Sequence, residues 1–592
     1  LLLSVAQDTE LLPRTPDSQA VSRKLLERAQ SYFEALLKEY RGNPQLTFEL
    51  ARAHVGLAQI AQRLGDTGRV HHEVSEALKW TERIPSGRVA STQVDALRGE
   101  ALLTLGNAQL EAGEAKLAVS TLGDAVAACR HGAPTPPADS RERLWSVEGL
   151  ALRALAEAET TIGRHDAARG HLAEARERFQ QLVAHYPGEP SHVRDAALVD
   201  MSLSTMAIDR GDVDEGKQYL LSAAALLNKT GNALGHSLRI RELLGIIQIN
   251  LGLAESRMGH TSESEQAFRT AIAEFRRLAD LEPAVHSHKW KLVTASLNIG
   301  GPMLEQGRHE EVVALWKEIV PVLDQLIEAQ PESQRYVQVK AMLQSNIAIV
   351  LRDRGQAEEA IEPLTNATRI LREQSRRVDD APEAYLPVAL NYSELATTYL
   401  VLERWAEALQ ALDRSDAICR ELLEAHPDFE SARGQWLDNM FARYKALQGK
   451  SPEDGRALVE LTDQAVELAR TLVSRQPEMV EYQVELPLAL IMRGEVRLAQ
   501  SDLQRAYTDG KTAIAHLTKR FQSPWTGRPR QAYRDASLLM ARIVAREITA
   551  ATNEATRKAK RDELQQWLTQ ARKMGATNEE IQQIESDGSR PE

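Results

Sequence analysis

The sequence has little cysteine, few aromatic residues and no long apolar run. Of its 592 residues, two are cysteines and 5% are Phe, Trp or Tyr. Cys129 and Cys419 are too few for a Cys-rich zinc module and too distant in sequence to favour a disulfide, so we expect two buried thiols. No apolar run approaches the roughly 18 to 20 residues that span a bilayer. The sequence therefore predicts no membrane-spanning segment and no thiol-based metal site.

Positive charge is outnumbered by negative charge, since 72 Lys and Arg residues stand against 84 Asp and Glu residues and the formal net charge is -12. This sign is wrong for a chain whose main task is to neutralise the phosphates of nucleic acid, so we expect no nucleic-acid partner. A basic stretch near the C-terminus could hold an anion or an acidic partner, but a charged capping face is the more economical interpretation. That stretch contains Lys519, Arg520, Arg528, Arg530 and Arg534, interleaved with Trp525 and Tyr533.

Catalytic and ligand-binding motifs are absent or incomplete. No zinc-protease, nucleophile-elbow or kinase catalytic-loop motif occurs. The segment Asp509-Gly510-Lys511-Thr512 resembles the end of a phosphate-binding loop, but Arg505 stands where that loop needs glycine, and no strand precedes it. His71-His72 and His286-Ser287-His288 have no evident further ligands nearby, so we interpret them as solvated. The sequence predicts no enzyme, no metal and no cofactor.

The composition that is present suits helices. Hydrophobic residues make up 43% of the chain, and Ala, Leu, Glu, Gln and Arg dominate, which is typical of closely packed amphipathic helices. Strand patterns are almost absent. The length far exceeds one ordinary compact core, so the chain is either several domains or an array that grows by repetition.

A fixed period of 48 residues, with one interval of 50, runs through most of the chain. Each repeated glycine follows one helical pattern and precedes another, as expected where a helix ends in a left-handed residue and the chain reverses. A further step of the period reaches Glu403, and we place the following turn at Gly449. Two helices per period follow. The repeated glycines are Gly65, Gly113, Gly163, Gly211, Gly259, Gly307 and Gly355.

Columns of small and large residues accompany the period. A large apolar residue eight positions before each turn is followed at once by a small one, as in Leu251-Gly252 and Ile299-Gly300, and the second helix carries a large residue nine positions after the turn. Small residues let two helix backbones approach, and large neighbours fill the groove between them. The second helix is often followed by a proline, at Pro187, Pro283, Pro331, Pro427 and Pro477.

This pattern resembles that of tetratricopeptide repeats. The resemblance implies an all-α, right-handed α-solenoid of stacked antiparallel helix pairs. The period exceeds the usual 34 residues, so we expect each helix to be about two turns longer than in the common repeat. We divide the chain into a linker and capping helix (1–43), an array of about ten helix pairs (44–523), capping helices (524–585) and a disordered tail (586–592).

A column of polar residues lies nine positions before the turns. It includes Asn250, Asn298, Asn346 and Glu394. In peptide-binding tetratricopeptide domains an asparagine at this position faces the concave groove and bonds the main chain of an extended ligand, and the resemblance implies this role for the three asparagines. The alternative is that the amides bond the neighbouring helix and only stiffen the array. Leu253 and Ile349, three positions further on, should face the same way and favour an apolar extended or helical ligand.

We therefore expect a non-catalytic scaffold that binds a protein or peptide. The alternative is a structural scaffold that self-associates and has no heterologous ligand. Residues 1 to 64 resemble the region after the kinase domain in planctomycete-type serine/threonine kinases, in which a membrane segment and then a tetratricopeptide array follow the kinase. That resemblance implies the sensor or docking region of a membrane-anchored bacterial signalling kinase.

Overall fold

The computed structural model describes residues 16–40, 46–85, 87, 89–131, 138–234, 238–376, 382–450, 455–521 and 526–589. Within these ranges every regular element is a helix, no β-strand occurs, and no helix combines the length and apolarity that a membrane span requires. The chain divides into two compact units, residues 1–329 (the N-terminal unit) and residues 330–592 (the C-terminal unit). The all-α prediction is confirmed.

The N-terminal unit consists of helix α1 (Pro16–Tyr40) followed by six antiparallel helix pairs, in each of which we call the first helix A and the second B. The A helix of pair 6 is broken into two pieces. In order, the pairs are α2 (Thr47–Arg63) with α3 (Thr67–Glu82), α4 (Ser91–Glu111) with α5 (Ala115–Arg130), α6 (Ala138–Thr161) with α7 (His165–His185), α8 (Pro190–Asp209) with α9 (Val213–Leu234), α10 (Leu238–Arg257) with α11 (Thr261–Leu281), and α12 (His286–Asn298) and α13 (Gly300–Glu305) with α14 (His309–Ala329).

The C-terminal unit contains pairs 7 to 10 and three closing helices. The pairs are α15 (Gln334–Asp353) with α16 (Ala357–Ser375), α17 (Leu386–Val401) with α18 (Trp405–Ala425), α19 (Glu430–Lys450) with α20 (Gly455–Arg475), and α21 (Val480–Ala499) with α22 (Leu503–Arg520); the closing helices are α23 (Gly527–Ala550), α24 (Glu554–Lys573) and α25 (Asn578–Ser589). Within each unit the helices pack in chain order, which is the stacking expected of a solenoid.

Helix lengths agree with the long period. Helix α8 has 20 residues and α11 has 21, so each is about 30 Å long at 1.5 Å per residue. The five predicted closing prolines each stand two residues after the last residue of a B helix, as Pro187 does after α7. Proline commonly follows a helix end because it cannot donate the next backbone hydrogen bond.

The turns inside the pairs lie where the period places them. All seven repeated glycines have positive φ, between 75° and 95°. Glu403 (φ 57°) and Ser501 (φ 64°) take the same left-handed conformation without being glycine. At Glu403, one period after Gly355, the turn therefore forms even though the residue best suited to it is missing.

The predicted turn at Gly449 is wrong. It lies inside α19, which continues to Lys450, and its φ is not among the positive values. A Cβ atom there would come within 2.6 Å of the Trp405 ring. Gly449 is thus a glycine of close packing inside α19 and not the turn of pair 9.

Large residues of the B helices pack on small residues of their own A helices. Leu122 covers Gly106, Phe268 covers Gly252 and Trp316 covers Gly300, each so closely that an added methyl group would collide. The Trp316 Nε1–H also donates to the carbonyl oxygen of Ser296 at 2.9 Å. These contacts account for the paired small and large columns in the sequence.

Replacing Gly252 with alanine should destabilise the N-terminal unit by about 1 to 3 kcal/mol, because the new Cβ would lie 2.8 Å from the Phe268 ring. The matched control is Gly170→Ala in α7, where nothing lies within 4 Å of the added Cβ. That change should stabilise by about 0.5 to 1 kcal/mol, because alanine favours helix more than glycine does. Urea denaturation followed by circular dichroism measures both, and equal effects of the same sign would contradict the packing assignment.

The two ends of the chain are closed by helices. Helix α1 buries Ala29 and Phe33 against α2, inside the segment 1–43 where a linker and a capping helix are predicted. At the other end, α23 and α24 occupy the range of the predicted capping helices. Helix α25 continues through residue 586 to Ser589, where the sequence predicts a disordered tail, because Ile581 and Ile584 are buried against the closing helices.

Candidate functional site

The predicted ligand-binding residues of the N-terminal unit lie on A helices. Asn250 and Leu253 are one helical turn apart on α10, and therefore on the same face of that helix. Leu253 is 40% exposed, and Asn250 and Asn298 are half-buried. We call the surface formed by the predicted residues of each unit its A-helix face. In this unit it consists of Asn250, Leu253 and Asn298.

Asn298 is the last residue of α12, immediately before the break in the A helix of pair 6. The break follows from Gly300-Gly301-Pro302, because Pro302 has no N–H with which to bond the carbonyl oxygen of Asn298 four residues earlier. Gly301 is exposed and has open space where a side chain would stand. The chain thus presents at one point an accessible amide side chain and a carbonyl oxygen that lacks its helical donor.

The A-helix face of the C-terminal unit carries Asn346, Ile349 and Glu394. Asn346 and Ile349 are half-buried on α15. Glu394, on α17, pairs with Arg352 on α15, with an N–O distance of 2.6 Å. Arg352 thereby joins two successive A helices, and the carboxylate of Glu394 is already engaged within the fold.

The amides of Asn250, Asn298 and Asn346 do not form a ladder between helices. Among the residues that the structure describes, no side-chain hydrogen bond joins any of the three to a neighbouring helix. Neighbouring A helices are instead joined by other pairs, such as Ser345 with Asn391 at 2.7 Å and Lys291 with Glu242 at 2.7 Å. In the described part of the chain, the joints between A helices are therefore made by side chains other than these amides.

The incomplete phosphate-binding motif is part of the core. Asp509 is buried in α22 and accepts hydrogen bonds from Arg493 and Arg497 of α21, both at 2.7 Å. Gly510 packs under Met540. A helix interior with its aspartate buried has no loop to cradle a phosphate, so the motif is a coincidence of sequence.

The histidines need one correction. His71 and His72 are exposed as predicted, but His288 is 3% exposed and its Nε2 lies 3.0 Å from a carboxylate oxygen of Glu282. The interpretation of His288 as solvated is wrong, because the side chain is buried in the first turn of α12 next to Glu282. In the described ranges, no group of three or more His, Cys, Asp or Glu side chains is placed to hold a metal ion.

The basic stretch near the C-terminus is largely used within the fold. Arg528 pairs with the buried carboxylate of Glu485 at 2.6 Å, Arg534 pairs with Asp535 at 2.8 Å, and Arg530 donates to the carbonyl oxygen of Met574. Trp525 lies outside the described residues. These contacts favour the interpretation of the stretch as a charged capping face.

The two cysteines are free and buried, as predicted. Burial raises the pKa of each thiol to about 12, so both are protonated at neutral pH. A protonated buried thiol is neither a nucleophile nor a metal ligand.

A pocket that the sequence did not predict lies in the C-terminal unit, between the B helices α16 and α18 and over the A helix α17. Its volume is about 550 Å³. Four arginines and two glutamates supply its charged groups, and two tyrosines form its floor. We call it the arginine pocket, and its principal residues are Arg369, Arg372, Arg376 and Arg414 with Tyr392 and Tyr399.

Both glutamates of the arginine pocket are paired. Glu373 lies 3.1 Å from Arg369, and Glu407 lies 2.9 Å from Arg404, whose hydrogen bond holds the pKa of Glu407 below its ordinary value. Within the described ranges, no carboxylate lies at ion-pair distance from Arg372 or Arg414. The guanidinium of Arg414 lies over the Tyr392 ring at 5.6 Å. The pocket thus contains guanidinium charge that the described fold does not neutralise.

One part of this pocket was visible in the sequence. Arg369, Arg372 and Arg376 are spaced by three and four residues, which places them on one face of α16. The opposite wall and the floor come from α17 and α18, and no local spacing connects them to α16.

No protein-family model matches the chain, and no curated protein matches it. Solved structures do match it. Tetratricopeptide repeat proteins are among its structural neighbours. One of them, from Parabacteroides merdae ATCC 43184, is 14% identical with a TM-score of 0.32, and the match covers 58% of this chain and 99% of that one.

Two other neighbours match a larger part of the chain. The apo form of RapI is 12% identical with a TM-score of 0.41, over 71% of this chain and 98% of RapI. The apo form of the quorum sensor NprR from B. thuringiensis is 12% identical with a TM-score of 0.40, over 71% of this chain and 98% of NprR. The helix-pair architecture described above follows from this chain's own turns and packing.

Proposed function

We propose that this chain is a non-catalytic scaffold that binds a protein or peptide along the A-helix faces of its helix pairs. The observation that carries the proposal is the surface around Asn298. There an accessible amide and a carbonyl oxygen without its helical donor stand side by side, and together they offer the main chain of an extended ligand both a donor and an acceptor.

Apolar contacts complete the proposed surface. Leu253 is exposed beside Asn250, and Ile349 is half-buried beside Asn346. An exposed leucine next to polar groups favours a ligand segment with apolar side chains, either extended or helical. Glu394 contributes to the surface through its pair with Arg352, which holds two A helices together, rather than as a free ligand group.

Replacing Asn298 with alanine should weaken ligand binding by about 0.5 to 1.5 kcal/mol, because one direct hydrogen bond is lost. The melting temperature should hardly change, since the structure gives that amide no partner among the described residues. The ligand is first captured from a lysate of the source organism with the wild-type chain. The triple variant Asn250→Ala, Asn298→Ala, Asn346→Ala should fail to retain it, and titration calorimetry then compares Asn298→Ala with the wild type.

The matched control is Asn228→Ala, which removes an exposed amide from a B helix in the same unit. It should leave affinity unchanged. A loss of melting temperature in Asn298→Ala with unchanged affinity would favour a stiffening role for the amides. Failure of the wild type to retain any ligand, together with concentration-dependent mass on a sizing column, would support the alternative of a self-associating structural scaffold.

We also propose that the array is the sensor or docking region of a bacterial signalling kinase. The resemblance of residues 1 to 64 to planctomycete-type kinases supports this proposal, although residues 1–15 and 41–45 of that segment lie outside the described part of the chain. Sequencing the gene upstream of the codon for Leu1 tests it. An open reading frame that encodes a kinase catalytic loop is the expected result, and a reading frame without one would overturn the proposal.

A further inference from the structure

The arginine pocket is separate from the A-helix face. Tyr392 and Tyr399 line it from α17, roughly 140 to 160° around that helix from Glu394. The pocket opens between α16 and α18, which are B helices. A ligand in it would therefore not compete directly for the amides on the A helices, and an inference about the pocket does not depend on the proposed function.

The charge of the pocket is opposite to that of the chain. The whole chain carries a formal net charge of -12, yet four arginines and two glutamates line this pocket, and both glutamates are paired. Unneutralised guanidinium groups in a concave site attract carboxylates and other oxyanions through paired N–H donors. Because the chain as a whole is negatively charged, attraction of an anion to this pocket depends on the arginines that line it.

A second groove, in the N-terminal unit, provides a contrast because its arginines have partners within the fold. It lies over α8, between α7 and α9, and its arginines are neutralised: Arg169 pairs with Glu215 at 3.2 Å, and Arg210 pairs with the same carboxylate at 2.9 Å. This groove holds about 240 Å³, less than half the volume of the arginine pocket.

The repeat register also shows which residues of the N-terminal unit stand at the positions of Thr368, Tyr392 and Arg414. In the N-terminal unit, Arg176 and Ser222 both donate to the buried carboxylate of Asp200, each at 2.6 Å. Four periods later the corresponding positions are Thr368, Arg414 and Tyr392. The carboxylate is replaced by an aromatic ring, and an arginine stands where the serine was. Arg414 therefore faces a position without the carboxylate that Asp200 supplies in the N-terminal unit, which leaves room for an external anion.

The pocket is elongated. Its wall on α16 extends from Thr365 to Arg376, which is about 16 Å along a helix. That length matches about five residues of extended chain at 3.3 Å each. Arg369, Arg372 and Arg376 are distributed along this wall, with Arg414 opposite them. Because the arginines are distributed along the length of the pocket, they match a peptide with several separate carboxylates better than a single compact phosphate.

We propose that the arginine pocket binds an acidic peptide segment, about five residues long, in extended conformation. Its carboxylates pair with Arg372 and Arg414, and its backbone lies over Tyr392 and Tyr399. The acidic segment either belongs to the partner that binds the A-helix face, and so provides a second contact with it, or belongs to a separate molecule.

The test uses the full chain and a fluorescein-labelled peptide of five glutamates, with a five-glutamine peptide as the neutral reference, in fluorescence anisotropy at low ionic strength. The wild type should bind the glutamate peptide and not the glutamine peptide. Arg372→Gln with Arg414→Gln should weaken binding about tenfold for each arginine removed. Gln410→Glu, which adds a carboxylate at the exposed edge of the pocket, should weaken it without removing any arginine.

The control is Arg470→Gln with Arg505→Gln, two exposed arginines on other B helices of the same unit, which changes the net charge equally. It should bind as the wild type does. Three results would overturn the proposal: no binding by the wild type, equal weakening in the control, or displacement of the peptide by inorganic phosphate or pyrophosphate at concentrations well below the peptide's own dissociation constant. The last would identify a phosphate site instead.

Discussion

Replacing Asp509 with asparagine should lower the free energy of unfolding of the C-terminal unit by about 3 kcal/mol. The carboxylate is 3% exposed and accepts from Arg493 and Arg497, each at 2.7 Å. Both arginines are themselves largely buried. Removal of the negative charge leaves the guanidinium groups of Arg493 and Arg497 close together without their buried anion. A mutation that leaves a buried charge uncompensated is among the most destabilising single substitutions. Urea denaturation followed by circular dichroism measures the loss.

Asp463 provides the control for that experiment, because it contacts the same two arginines, at 3.0 and 3.4 Å, but is 48% exposed. Asp463→Asn should cost less than about 1 kcal/mol, since water screens an exposed ion pair. If the two variants lost equal stability, burial would not be the reason for the effect, and the assignment of Asp509 as the central anion of the cluster would be wrong.

Replacing Glu485 with glutamine should have the opposite effect, a gain of about 2 kcal/mol at pH 8. Burial raises the pKa of this carboxyl from 4.5 to about 7; the charge of Asp438 acts in the same direction, and Arg528 opposes it. Its Oε2 atom is also buried without a hydrogen-bond partner. The native wild type must therefore ionise an unfavourably placed group at alkaline pH, and the variant does not.

The sign of this pH dependence follows from the raised pKa. Below pH 4.5 the carboxyl is protonated in both the folded and the unfolded chain, so Glu485 and its glutamine replacement should be equally stable. Between pH 4.5 and 7 the unfolded chain releases its proton first, so the wild type loses stability as the pH rises. Glu481→Gln, at an exposed position at the start of the same helix, is the control and should show no such gain. An equal advantage of Glu485→Gln at pH 4 and pH 8 would exclude ionisation as the cause.

The turns show how much of the fold the sequence could predict. A spacing of 48 residues located a left-handed residue even at Glu403, because the period reflects the stacking of whole helix pairs and not the preference of one residue. The same reasoning misplaced Gly449. Glycine is required both where φ is positive and where a neighbour such as Trp405 approaches closely, and sequence alone does not separate these two needs.

Side chains whose partners come from other helices were predicted least well. The sequence predicts a solvated His288 because no further metal ligand is evident nearby; its actual partner, Glu282, precedes the helix, and no helical spacing connects the two. The arginine pocket was missed because its charge depends on which arginines find carboxylates. Arg404 forms an ion pair with Glu407, whereas Arg414 forms no ion pair with a carboxylate in the described part of the chain. Pairings of this kind depend on rotamers and on helix packing, neither of which a periodic pattern contains.

The candidate site falls between these cases. The column of asparagines could be placed on the A helices from the period alone, and the structure keeps Asn250, Asn298 and Asn346 partly exposed. Whether the amides were free or bonded could not be read from the sequence, because both arrangements need the same residue at the same position. The ion pair between Glu394 and Arg352 likewise could not be predicted from the sequence.

The proline that breaks the A helix of pair 6 affects the range of partners such a surface would accept. Pro302 leaves the carbonyl oxygen of Asn298 without its helical donor, and a carbonyl recognises the main chain of a ligand, which is the same in every peptide. Recognition at this point would be indifferent to ligand sequence, and discrimination would fall to neighbouring side chains such as Leu253. A chain built in this way would tolerate variation in its partner at one position while remaining selective a few residues away.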